Sequence, residues 1–184
     1  MNFGNGYPFP STSYLSSGQY KIITIKNVQG GLIDSAGASY LDALPARMKK
    51  ECFLQQGDVL LSLTGNVGRV GIVNEDNLLL NQRVAKILPK EPDLLPFLYF
   101  VFRTPRMRKI LEVISKGTAQ KNLSPIETLN QNIPFDEKSA KKLGCEMKPL
   151  FKKIERNQVE SKELTNLRDF LLPLLMNGQV TLRR

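Results

Sequence analysis

The chain has no histidine and only two cysteines among its 184 residues. Without imidazole it lacks the usual general base, metal ligand and triad member, the one side chain that titrates near neutrality in its ordinary state. Cys52 and Cys145 do not make a disulfide framework, and their spacing is not that of a metal site. A reducing, cytoplasmic setting is the expectation that follows. No stretch of eighteen or so apolar residues interrupts the chain, so no membrane span is expected. The opening Met1-Asn2-Phe3-Gly4-Asn5-Gly6 does not show the basic-then-apolar order of a secretory signal. No glycine-rich cofactor loop follows a strand pattern.

Positive charge is what the chain has in excess. Lysine and arginine total 26 against 17 acidic residues, a formal net charge of +9. Such a balance favours polyanionic partners, because each neutralised phosphate releases condensed counterions. A basic but unspecific surface would have the same composition, so charge alone does not choose between them. Hydrophobic residues make up 41% and charged residues 23%, enough for a buried core in one ordinary domain with an appendage.

The pattern along the chain is β-rich first and helical last. Tyr20 to Val28 alternates branched apolar with polar residues, the period of a half-buried strand, and Gly30-Gly31 ends it. Val59 to Thr64 and Arg69 to Asn74 read as two short strands around Gly65-Asn66-Val67-Gly68, a hairpin whose glycines supply positive φ. Arg83 to Leu88 is a further strand. Residues 94–115 switch to helical spacing with Thr104-Pro105 as punctuation, and Ile126 to Pro134 is expected to lead to a last strand.

From Asp136, a plausible N-cap, helix formers prevail. Met147, Leu150, Ile154, Asn157, Ser161, Leu164, Arg168, Leu171 and Leu175 alternate at spacings of three and four, a coiled-coil-like seam with polar interruptions. Pro149 is expected to kink the helix or mark a break near its start. Residues 150–172, if helical throughout, would span roughly 34 Å, too long to lie wholly against so small a domain. The expected fold class is α+β: a mixed or antiparallel β-rich domain with short helices over residues 1–135, then a long coiled-coil-like C-terminal helix over 136–184.

Several of these segments carry a family likeness. Gly6-Tyr7-Pro8-Phe9-Pro10-Ser11 with Tyr14, Gly57 to Ser62 followed by Gly65 to Gly68, Asn81-Gln82-Arg83-Val84, Gly117 to Ser124, Ile133-Pro134 and Leu167 to Leu175 before Asn177-Gly178 together resemble the specificity subunit of type I restriction-modification enzymes. Each piece is a weak motif, but their order and spacing are more specific. The resemblance implies a target recognition domain that reads double-stranded DNA, while partner methyltransferase subunits, and restriction subunits acting through them, supply the chemistry. Family members usually carry two recognition domains separated by two antiparallel helices. Only one of each is seen here, so the chain is expected to be a half-length member, a truncated gene product or an expressed fragment. A second copy pairing antiparallel through the helix would rebuild the architecture and predict a palindromic bipartite target.

Candidate DNA contacts follow from side-chain chemistry. Arginine matches the O6/N7 edge of guanine, Gln and Asn match adenine, and lysine suits phosphate or guanine. The densest basic stretch holds Arg103, Arg106, Arg108, Lys109, Lys116 and Lys121; from it, Arg106, Lys109, Lys116 and Lys121 are the expected contacts, against the alternative of a solvated helix face. Thr118, Gln120 and Asn122 complete a polar loop with base-reading chemistry, although such a loop also serves as a connector. Asn66, Arg69, Gln82 and Arg83 lie at hairpin and strand ends, and Arg47 and Lys49 lie in a presumed loop; for Asn66 a turn role that tolerates positive φ is the stronger reading. Tyr7, Phe9 and Tyr14 could stack on bases, with core packing the expected fate of two. The partner or dimer interface is expected at Leu150, Ile154, Asn157, Ser161, Leu164, Arg168, Leu171 and Leu175.

No catalytic residue, metal site or cofactor is expected. Asp93 with Asp136-Glu137-Lys138 can be aligned to nuclease carboxylates and a lysine, but Asp136 is better explained as a cap. Asn132-Ile133-Pro134-Phe135 lacks the second proline of an amino-methyltransferase motif. The reading from another class is a helix-mediated interaction or decoy module with no sequence-specific DNA binding.

Overall fold

The computed structural model describes residues 1–117, 121–131 and 135–180. It is a mixed α+β fold with two sheets, short helices and one long C-terminal helix. The strands are β1 (Asn2–Asn5), β2 (Tyr20–Ile23), β3 (Gly31–Leu32), β4 (Ser39–Leu41), β5 (Phe53–Leu54), β6 (Val59–Ser62), β7 (Val70–Ile72), β8 (Leu78–Leu80) and β9 (Val84–Leu88). One sheet runs β1-β9-β6-β7-β3 and the other β4-β2-β8-β5. Within them β3 with β7 and β2 with β8 are parallel, and the remaining pairings are antiparallel. Among the described residues no helix is long and apolar enough to cross a membrane.

The strands are short, and several are buried along their whole length. All of Val59–Ser62, Val70–Ile72 and Leu78–Leu80 are buried, which explains why they read as apolar runs rather than alternations. The β6–β7 hairpin matches its sequence pattern, with Gly65 and Gly68 at φ of 68° and 79°, a backbone that side-chain-bearing residues rarely adopt. The strand expected from Tyr20 to Val28 instead ends at Ile23. There Asn27 Oδ1 accepts from the Thr24 backbone N–H at 2.9 Å and from the Thr24 hydroxyl at 2.8 Å. This local turn competes with the ladder for the backbone.

The helical spacing over residues 94–115 becomes two helices, α1 (Leu94–Phe102) and α2 (Pro105–Ile114), with the Thr104 hydroxyl capping α2. Over Ile126 to Leu129 no strand forms. Pro125–Leu129 is instead a short helix, α3, because Ser124 accepts from the Glu127 N–H and proline occupies the first turn, a strong helix start. The rest of that expected strand, Asn132 to Pro134, lies outside the described residues.

Helix α4 (Glu137–Met176) begins at Asp136, whose carboxylate accepts from the Ser139 N–H at 2.9 Å. It is 40 residues long, about 60 Å at 1.5 Å per residue. The helix is not broken at Pro149: it passes through Pro149 and Pro173. Proline removes one helical hydrogen bond, but both flanks of Pro149 are anchored. Lys148 pairs with Asp93 at 2.8 Å, and Phe151 is 3% exposed, edge-on to Tyr99 of α1 at 5.3 Å between centroids.

A close crossing with α1 sets where α4 lies. Gly144 is buried there, and a Cβ on it would overlap the Asp93 carbonyl oxygen. Ion pairs Lys141–Glu91 and Lys148–Asp93 flank the crossing. Beyond Lys162 the helix is largely exposed, as its length against the domain requires.

Two measurements test this docking. Phe151→Ala should cost about 3–5 kcal/mol of stability by denaturant unfolding. Gly144→Ala should lower the thermal midpoint despite alanine's better helix propensity, because the obstructing atom is backbone.

The ion pair also predicts a pH response. Lys148 beside Asp93 holds that carboxyl below the usual range, chiefly through their hydrogen bond. A depressed carboxylate stabilises the fold above its unfolded pKa and loses that contribution as pH falls through its folded value. Asp93→Asn should therefore lower the midpoint near neutrality and leave less acid dependence in thermal melts.

Candidate nucleic-acid interface

The ends of several strands meet on one side of the two sheets. Leu63, just past β6, donates its N–H to the Arg83 carbonyl at 3.0 Å, and its own carbonyl accepts from Leu123 N–H at 2.7 Å. The hairpin loop 63–69 is thus held between the loop before β9 and the segment after α2. Gly65 N–H bonds to the Lys121 carbonyl at 3.2 Å, and Lys116 and Asn122 exchange backbone hydrogen bonds at 2.9 and 2.7 Å. On the opposite flank, Asn81 N–H bonds to the Ile23 carbonyl and Gln82 N–H to the Tyr7 carbonyl, both at 3.1 Å.

This arrangement brings together Asn66, Arg69, Gln82, Arg83, Lys116, Lys121 and Asn122. All but Arg69 are exposed, and Arg69 is partly buried. Lys116 is paired with Glu127 at 2.6 Å, and that hydrogen bond raises its pKa. Thr118 and Gln120 lie outside the described residues.

Other expected contacts lie elsewhere. Arg106 and Lys109 share the outward face of α2 with Val113, which is 76% exposed, opposite the buried Met107 and Leu111. Together with Ile110, Ile114 and Gln131 they line a cavity of about 460 Å³. Arg47 and Lys49 are exposed in the segment leading to a single 3-10 turn, Lys50–Cys52. Among the described residues no hydrogen bond or ion pair joins either of them to the loop cluster.

The remaining basic residues of the dense stretch have internal partners. Arg103 bonds to the Tyr99 hydroxyl and, at 3.4 Å, to the Gly30 carbonyl. Arg108 pairs with Glu112 at 3.3 Å. Of the aromatic candidates, Phe9 is buried and Tyr7 packs on it at 5.1 Å between centroids. The Tyr14 hydroxyl accepts from the Asn81 side chain at 3.3 Å.

One neighbouring loop was not singled out from sequence. Residues 24–29 adjoin the hairpin, with the Ile25 side chain 3.3 Å from where a Gly65 Cβ would stand. That loop carries an exposed Lys26 and a partly buried Gln29. The polar run Lys26-Asn27 and Gln29 before Gly30-Gly31 is the signal that could have marked it. Continuing the strand pattern to Val28 concealed it.

On α4 the expected interface residues divide. Ile154 is partly buried against the domain's own core, so it faces inward. Asn157 and Ser161, with Ile154, line a cleft of about 550 Å³ against Leu32, Asp34 and Asn74. Leu150 and Leu164 are exposed, as are Arg168 and Leu175, and Leu171 is partly buried.

Residues 1–166 match the family model for the type I restriction modification DNA specificity domain. The chain belongs to that family. It is 30% identical over 146 residues to the type I restriction enzyme HindI specificity subunit of Haemophilus influenzae, covering 76% of this chain and 31% of that protein. It is 33% identical over 88 residues to the EcoBI specificity subunit of Escherichia coli, covering 47% and 19%. The fold is shared with the crystal structure of a type I restriction-modification S subunit from M. genitalium, with a TM-score of 0.57 at 15% identity, covering 95% of this chain and 42% of that one. The chain therefore spans less than half the length of these relatives.

Proposed function

We propose that this chain reads double-stranded DNA sequence for a type I restriction-modification complex through the loop cluster of Asn66, Arg69, Gln82, Arg83, Lys121 and Asn122. The observation that carries the reading is that backbone hydrogen bonds gather chain segments distant in sequence into one exposed polar and basic edge. Family membership agrees with it. Side chains that can bond base edges are thereby mounted on a rigid scaffold. Residues 1–135 form the recognition unit in this reading, and 136–184 the helical region for subunit pairing. The chain itself performs no catalysis and needs no cofactor. It directs methyltransferase subunits, and restriction subunits through them, to the target in the cytoplasm.

The exposed far half of α4 supports the pairing role. Leu164, Leu167 and Leu175 are exposed and share one side of the helix, an apolar stripe that a helix from a methyltransferase subunit, another specificity half or a second copy would cover. The same observation favours the second reading, in which the helix binds a partner and the β-domain is only a mount.

Selection from randomised duplexes, with the chain alone and with its methyltransferase partner, separates the two: recovery of a motif supports DNA reading, and none in either case rejects it. Lys121→Ala should weaken binding and reduce the slope of log K against log salt by about 1. Lys116→Ala should do less, since Glu127 already neutralises it. Glu127→Gln should strengthen binding and steepen the slope. Light scattering on Leu164→Asp with Leu167→Asp should show loss of any self-association that the parent chain displays.

A further inference from the structure

The loop cluster contains one side chain whose orientation is fixed by a relay. The Gln29 amide Nε2 donates to the Lys26 backbone carbonyl at 2.7 Å. That bond leaves Gln29 Oε1 to accept from Arg69 Nη1 at 3.3 Å. Gln29 is itself tied down: its N–H bonds to the Leu32 carbonyl at 3.0 Å, and its carbonyl accepts from Gly31 N–H at 2.8 Å. Arg69 is likewise anchored at its carbonyl, which accepts from Ser62 N–H at 2.9 Å. The guanidinium is thus held at one nitrogen by a chain of bonds ending on backbone.

Among the described residues, Asn66, Gln82, Arg83, Lys121 and Asn122 have no such side-chain bond. Arginine carries five N–H donors in a planar fork. One is engaged by Gln29, and among the described residues the others have no hydrogen-bond partner. The fork matches guanine O6 and N7, and a fork already oriented loses less rotamer freedom on binding.

We propose that Arg69 reads a guanine in the DNA target and that Gln29 is the positioning residue that presents its guanidinium. The inference rests on the DNA-reading function proposed above and adds the base and the residue that sets its geometry. A hydrogen bond that merely stapled loop 24–29 to the hairpin would contribute to stability and not to base preference, and this difference makes the two roles separable.

The experiment is duplex selection and quantitative binding with the full chain and four variants. Arg69→Ala should abolish a guanine preference at one position, a loss of about ten- to a hundredfold in discrimination there, with other positions unchanged. Arg69→Lys keeps the charge but not the fork, so it should lose the same preference while its salt slope stays at the parent value. Gln29→Ala and the similarly long Gln29→Met, which has neither the acceptor for Arg69 nor the donor to Lys26, should both reduce discrimination at that same position only. A parent motif that Gln29→Ala leaves intact, whether or not its thermal midpoint falls, overturns the positioning role alone. A parent chain that selects no motif overturns this inference and the DNA-reading function together.

Discussion

The candidate interface depends on the peptide group of Leu63 and its neighbours. A strand that simply ended at Ser62 would leave the hairpin tip free to move. Instead Leu63 bonds on one side to Arg83 and on the other to Leu123, so the β6 edge continues past its sheet as a junction between three chain segments. Buried backbone groups demand partners, and here that demand places Asn66, Gln82, Arg83 and Asn122 along one edge. Affinity for a polyanion could come from charge anywhere on the surface. Reading a base sequence requires polar groups held in a fixed relation, and backbone pairing provides that relation.

The long helix solves a different problem by similar means. Its first half is seated on α1 through Gly144 and Phe151, with ion pairs at Glu91 and Asp93. Its second half extends beyond the domain with leucine and phenylalanine exposed. α4 thus combines a seat on the domain with an uncovered outer half. A partner covering the far end would be joined to the loop cluster through one continuous helix of 40 residues, about 60 Å in all.

Most of the architecture was legible in the residues. The hairpin glycines, the Thr104-Pro105 boundary and the Asp136 cap are local signals, and local hydrogen bonding honours each of them. Failures occurred where a local pattern met a stronger competitor. Asn27 turned an alternating run away from the sheet, and Ser124-Pro125 started a helix at the head of the segment expected to lead to a last strand. Strands of two or three residues, such as β3 and β5, are too short for any periodicity to declare them. Composition could not sort the basic residues either. Arg106 and Lys109 follow Arg103 closely in sequence, yet helix geometry turns them to a face shared with Val113, while Arg103 folds back onto Tyr99.

By itself the sequence determined the α+β class, the excess of positive charge, the long terminal helix and the family likeness, because periodicity, caps and motif order are properties of neighbouring residues. Only the tertiary structure decided which polar side chains share an edge, which seam residues of α4 face inward, and that Gln29 holds Arg69. Those outcomes depend on contacts between residues far apart in the chain, such as the 40 positions separating Gln29 from Arg69, and no local pattern encodes the strand pairing that closes that distance.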